Sequence, residues 1–254
     1  EAGGTIEDQD YQLSFDGIYD MQVKGKENLN VNTDIERLNL SFLEALLKKE
    51  SLIPRAFVKG QVKVSGSLKS PVLTGAAQII DTAELKLRML GTTFKMVNEE
   101  IKLTNKGFDF GQITLYDNFG NNALLSGKLL HDGFKNWRVD KANVSAPTGY
   151  NFMNTTYDDN QDFYGKVFAK GDVDIDGYFD NLFINVNTLE TLKNTEFNLP
   201  VTDKASDKGY TFIKFVNPND TAKKVEYKSK TSGININMNI TATQDAKMNI
   251  ILDP

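Results

Sequence analysis

Residues 233 to 241 read Gly-Ile-Asn-Ile-Asn-Met-Asn-Ile-Thr, alternating apolar and polar positions without a slip. A β-strand with that pattern has one apolar face and one polar face. The alternation keeps returning along the chain. Val62 and Val64 are interleaved with Gln61, Lys63 and Ser65, and Leu85, Leu87 and Met89 with Glu84, Lys86 and Arg88. Phe94 and Met96 follow, then Ile101 and Leu103, and Phe108 and Phe110. After Gly111 the apolar parity moves to Ile113 and Leu115, which predicts a bulge or bend there. Val173 and Ile175 sit among Asp172, Asp174 and Asp176, then come Leu182, Ile184 and Val186, and finally Ile250 and Leu252. Gly, Asn and Asp punctuate these runs as hairpin turns require. The pattern predicts an all-β chain.

One segment departs from it. From Ser41, Ser-Phe-Leu-Glu-Ala-Leu-Leu-Lys-Lys reads as a short amphipathic helix. Ser41 and Glu44 have capping-box spacing, and Leu43, Leu46 and Leu47 share a face. Lys48 and Lys49 suit the negative end of the helix dipole, and Pro54 marks a boundary soon after. Residues 156 to 162, about 202 to 209, and 217 to 232 are polar and predict loops. None has the composition of a long linker, so no domain boundary is drawn. A faint repeat links Gly60-Gln-Val-Lys-Val-Ser-Gly66, Gly165-Lys-Val-Phe-Ala-Lys-Gly171 and the glycines of Gly127-Lys-Leu-Leu-His-Asp-Gly133. Such self-similarity fits either a stacked, elongated sheet or chance among glycine-rich strands.

Composition narrows the function. The chain has 254 residues, 40% hydrophobic and 25% charged, which places it with folded proteins. A net charge of -5 with no basic stripe argues against nucleic acid as a partner. The absence of cysteine excludes disulfides and thiolate metal sites. No apolar run approaches the roughly 20 residues of a membrane-spanning helix. The start, which lacks Met, and the end just after an apolar run read as a piece of a longer or processed chain.

The search for catalytic groups finds little. His131 is the only histidine, between Leu130 and Asp132, and reads as a surface residue in a turn. Histidine triads and multi-histidine metal sites are thereby disfavoured. Asp172-Val-Asp-Ile-Asp-Gly177 imitates the opening of a calcium loop, but the twelfth position is Phe183, and a strand fits better. Asp158, Asp159 and Asp162 read as a solvated acidic loop. Trp137 could stack on a sugar or anchor a strand. The chain is expected to be no enzyme, with no catalytic residue, metal or cofactor.

Several stretches together resemble the C-terminal domain of the TamB family, the inner-membrane subunit of the translocation and assembly module, in its Bacteroidota form. They are Gly66-Ser-Leu-Lys-Ser-Pro-Val-Leu-Thr-Gly75; Leu115-Tyr-Asp-Asn-Phe-Gly-Asn-Asn-Ala123 with Leu125-Ser-Gly-Lys-Leu-Leu-His-Asp-Gly-Phe134; Phe163-Tyr-Gly-Lys-Val-Phe-Ala-Lys-Gly171; and Ile240-Thr-Ala-Thr-Gln-Asp-Ala-Lys-Met-Asn-Ile-Ile-Leu-Asp253. They span about residues 35 to 254, and residues 1 to 34 match only loosely.

The resemblance implies a fold: a single fragment, residues 1–254, of an elongated curled sheet, the β-taco or β-groove, with an apolar interior. It also implies a role, as a non-enzymatic periplasmic bridge that carries phospholipids between the inner and outer membranes. The full-length protein would be anchored in the inner membrane through parts missing here. It would work with an outer-membrane barrel of the TamA or BamA type. The candidate groove lining is Val62, Val64, Leu85, Leu87, Met89, Phe94, Met96, Ile101, Leu103, Ile234, Ile236, Met238 and Ile240. A filled core would use the same side chains. The helix from Ser41 would either cap the groove or pack on the sheet. The resemblance also implies, as an alternative role, assembly of outer-membrane barrels by pairing at exposed sheet edges; an extracellular β-sandwich adhesin or glycan binder is a further reading of the strand pattern.

Overall fold

A computed structural model describes residues 2–20, 28–42, 52–87, 90–201 and 233–252. All fifteen described strands belong to one sheet. It opens with five antiparallel strands, β1 (Ala2–Glu7), β2 (Tyr11–Tyr19), β3 (Leu29–Asn39), β4 (Leu52–Ser67) and β5 (Ser70–Leu87). The 18-residue β5 carries two short strands on its far edge, β6 (Thr92–Val97) and β7 (Glu100–Thr104). The antiparallel order continues through β8 (Gly107–Tyr116), β9 (Asn122–Asp132), β10 (Lys135–Thr155), β11 (Tyr164–Tyr178) and β12 (Asn181–Thr191). β13 (Glu196–Val201) extends the line of β12 along β11. β14 (Gly233–Thr241) and β15 (Lys247–Leu252) then add in parallel to β12 and β13. Parallel neighbours need a long crossover, and residues 202–232, which would make it, lie outside the described residues.

The all-β expectation holds. The strands β1 to β3, β9 and the 21-residue β10 go beyond the sequence reading. The helix from Ser41 lies outside the described residues from Leu43 onward. Its opening is a 3-10 turn, Leu40–Phe42, where the Ser41 N–H donates to Asn39 Oδ1 at 2.9 Å. The Asn39 side chain caps this turn. The loop at 156 to 162 is observed, whereas those at 202 to 209 and 217 to 232 lie outside the described residues.

Register carries one set of apolar positions from strand to strand. Leu13 opposes Ile35, Val31 opposes Val64, and Val64 opposes Leu73. Gly75 opposes Leu103, which opposes Phe108, which opposes Leu129. Farther on, Ile113, Leu125, Val144, Val173, Val186 and Met238 follow one another in the same way. Directly opposed residues point to the same side of a sheet, so these positions share one face. Keeping that face apolar requires corrections of parity. The β8 bulge between Asp109 and Gly111 is one, as the sequence predicts, with Gly111 at φ 57° and its N–H held by Asp109 Oδ1 at 2.9 Å.

The glycine spacing has a structural meaning as well. Gly60 and Gly75 lie near one another across β4 and β5 with φ of 151° and 135°. A Cβ on Gly60 would strike the carbonyl oxygen of Ala76, and one on Gly75 that of Gln61. The bare backbone lets the two strands kink together, which is how long strands acquire curvature. Gly165 and Gly171 meet carbonyl oxygens of neighbouring strands in the same manner, so three of the repeated glycines, Gly60, Gly165 and Gly171, share a local role.

Candidate functional site

The apolar face is where the predicted lining residues fall, and it is unevenly covered. Two clusters of buried side chains lie along it. The smaller holds Ala56, Val58, Ile79 and Ala83, and the larger runs from Ile113 and Leu115 through Val144, Tyr150 and Val173 to Leu189. Met96 packs against both and so joins them. Elsewhere the face is only half-covered: Leu13, Phe15, Val31, Val64, Leu73 and Leu103 are all half-buried. Among the described residues seventeen apolar residues are buried, six of them alanine, while seventeen large apolar side chains are exposed.

The candidate lining residues divide into three groups. Val62 and Leu103 flank Gly75 on β5, while Val64 opposes Leu73 and Ile101 opposes Ala77 on the same strand, so the four lie along one stretch of β4, β5 and β7. Val62 is buried at 9% exposure, while the other three are half-buried. Leu85 opposes Phe94, and Ala83 opposes Met96, where β5 meets β6. Ile236, Met238 and Ile240 oppose Ile184, Val186 and Leu189 at the other end of the sheet. The backbone of Leu87 opposes Thr92 and that of Ile234 opposes Leu182, but their side chains, and all of Met89, lie outside the described residues. Phe94, Met96 and Ile240 pack against the larger cluster, which places them in protein contacts.

The sequence reading passed over the apolar residues of β2 and β3, among them Leu13, Phe15, Val31 and Ile35, which continue the same face. Their alternation was visible in Val31-Asn32-Thr33-Asp34-Ile35, but Thr at the middle apolar position weakened it. Ile113, Leu125, Val144 and Val186 were also left out of the lining, because bulges move their parity.

The opposite face carries ion pairs and amide hydrogen bonds between strands. Lys128 pairs with Asp109 at 3.0 Å and Lys170 with Glu190 at 3.0 Å, each across neighbouring strands. The Gly111 N–H, with Lys128 second, holds the Asp109 carboxyl below the ordinary range. Asp174 accepts from Asn143 Nδ2 at 2.7 Å and from Asn187, so the Asp-rich run is a strand tied to its neighbours, as expected. Among the described residues no group of His, Asp and Glu is arranged to hold a metal ion. A shallow cleft draws most of its lining from this polar side, including Asn30, Lys63, Ser65 and Val72. It does not coincide with the apolar rows.

His131 corrects the sequence reading. It ends β9, half-buried, with its ring stacked on Phe134 at 4.3 Å and edge-on to Trp137 at 4.9 Å. Trp137 in turn stacks against Phe108 at 6.1 Å and Phe179 at 6.5 Å. The Phe134 N–H donates to His131 Nδ1 at 3.2 Å, which keeps that nitrogen unprotonated. Burial lowers the affinity of the imidazole for a proton, against the pull of Asp132. The aromatic run from 131 to 137 made a local turn the obvious reading, and only the sheet brings Phe108 and Phe179 to it.

Tyr150 is fully buried, and among the described residues its hydroxyl has no hydrogen-bond partner. Burial, with Asp117 nearby, pushes its proton affinity far up, so it stays a neutral phenol. Asp117 is itself 3% exposed and accepts four N–H bonds. These come from Phe119 N at 2.8 Å, Asn121 N at 2.9 Å, Asn121 Nδ2 at 2.8 Å and Asn151 N at 3.0 Å. The last ties the β8–β9 turn to β10 beyond the point where β9 stops pairing with it.

No protein-family model, curated protein or solved structure matches this chain.

Proposed function

We propose that the chain is a non-enzymatic segment of a lipid-carrying bridge, in which the apolar face forms a groove for phospholipid acyl chains. The observation that supports this reading is the combination of one continuous sheet with apolar rows left half-covered. In an ordinary sandwich a second sheet seals such a face; among the described strands there is only one sheet. Neighbouring residues Val64, Leu73 and Leu103 would then be fully buried, and they are not.

The energetics suit a carrier. Exposing an acyl chain to water costs about 0.8 kcal/mol per CH2, so a chain of roughly 16 carbons left unsheltered costs on the order of 13 kcal/mol. Half-covered Val, Leu, Ile and Phe rows remove much of that cost without directional bonds, so a guest can slide. The headgroup stays in water at the open side. On this reading the protein belongs to the periplasm, between an inner-membrane anchor and a TamA- or BamA-type barrel, as its resemblance to the TamB family implies.

Photo-crosslinking side chains at Val64 and Leu103 should capture phospholipid in cells. The neighbouring positions Lys63 and Lys102 point to the other face and should not. Equal capture at all four would overturn the groove.

A further inference from the structure

Strand β14 closes the described sheet on one side. It pairs with β12 and with no other described strand. Among the described residues its outer edge therefore presents unpaired backbone N–H and C=O groups, a template for another strand. Natural edges are usually protected by charge, proline or a bulge. Between Gly233 and Thr241 there is no charge and no proline. Its register against β12 runs unbroken from Gly233 to Met238. Ile236 is 40% exposed and Met238 46%. The opposite edge, β1, is different: it contains Gly3 and Gly4 and ends in Glu7, a sequence that specifies register poorly.

The sequence of β14 is also close to symmetrical. Reading outward from Asn237, the residues are Ile236 and Met238, Asn235 and Asn239, then Ile234 and Ile240. Consider a second copy of β14 laid antiparallel on the free edge, with a two-fold axis at Asn237. Asn237 meets Asn237, Ile236 meets Met238, Asn235 meets Asn239, and Ile234 meets Ile240. Opposed residues in an antiparallel pair share a face. The apolar face of one copy thus continues into that of the other, and the asparagine face continues likewise. A slip of one residue would set Ile against Asn throughout. Self-complementarity of this kind is what a two-fold dimer interface requires. The asparagine row already bridges strands on its paired side, where Asn235 Nδ2 donates to Asn181 Oδ1 at 2.9 Å.

We propose that β14 is a dimerisation edge whose occupant is a second copy of this chain, paired antiparallel about Asn237 to join two sheets into one. The proposal depends only on this edge, not on what the apolar face carries.

The chain has no cysteine, so introduced thiols report cleanly. Opposed residues in an antiparallel pair lie about 4.5–5.5 Å apart at Cα, within disulfide reach. Asn237→Cys should form a covalent dimer under mild oxidation. Asn235→Cys and Asn239→Cys should each stay largely monomeric alone, yet cross-link to each other when mixed. The unaltered chain should sediment as a dimer at micromolar concentration, and Met238→Lys should return it to monomer with its β circular dichroism kept. A monomeric unaltered chain would overturn the proposal, as would equal cross-linking of Asn235→Cys alone and Asn237→Cys.

Discussion

Phe94 of β6 stacks on Tyr150 of β10, with ring centroids 6.0 Å apart and planes 18° from parallel. The two strands are not neighbours, since β8 and β9 lie between them in the sheet order. The sheet therefore bends far enough to bring one part of its apolar face onto another. Gly91, at the start of the same hairpin arm, confirms the approach, because a Cβ there would meet the Asn154 carbonyl. Apolar packing across the sheet is concentrated here, and here Met96 bridges the two buried clusters.

Phe94→Ala should consequently cost more than its half-buried state suggests. It removes a ring from the contact that holds the bend and opens space above Tyr150. A loss of about 3 kcal/mol is expected, at the low end for buried Phe→Ala changes. Urea unfolding of the variant measures it. Phe15→Ala, on a half-covered stretch far from the bend, should cost clearly less.

Asp117→Ala should be among the more damaging single changes. It would leave the backbone N–H groups of Phe119 and Asn121 in an otherwise exposed turn, and the buried N–H of Asn151, without their acceptor. A loss of about 1–3 kcal/mol follows from stranding the buried donor. Asp117→Asn keeps the shape and one acceptor oxygen, and should recover part of that in the same unfolding measurement.

Gly60→Ala and Gly75→Ala place a Cβ against the carbonyl oxygens of Ala76 and Gln61, at backbone angles that side chains rarely adopt. Each should destabilise by about 1–3 kcal/mol. Gly120→Ala, at a positive φ but in open space, should cost less. The ranking of the three by thermal midpoint is the check.

His131 should make stability depend on pH in a defined sense. Burial holds the folded imidazole below its ordinary value of 6.5, so the unfolded chain binds the proton more readily. The contribution is complete above about pH 6.5 and is lost as pH falls through the lower folded value. Protonation would also break the bond from the Phe134 N–H to Nδ1. The fall in unfolding free energy through this range should flatten in His131→Phe, which keeps the ring stack.

How much of this was legible beforehand differs from element to element. β14 and the run around Val62 and Val64 were plain, because their alternation is unbroken and strand periodicity is a local property. β10 was not, because its bulges at Val139, Ala146 and Asn151 break the period repeatedly. The candidate lining was partly legible. Val64 and Leu103 fall on the half-covered face, but Phe94 and Met96, with the same local pattern, are taken into the packed bend.

By itself the sequence determined that this chain is built of two-faced strands, where the loop at 156 to 162 and the Gly111 bulge fall, and that side chains suited to catalysis are scarce. These follow from residue order, because the two-residue period and backbone freedom at glycine act over a few positions. The tertiary structure alone decided that the strands join one sheet, that β14 and β15 attach in parallel, and that Phe94 reaches Tyr150 while Leu103 stays half-bare. Those outcomes depend on register and curvature summed over many strands, and a small bend at each accumulates into contacts that no local stretch of residues encodes.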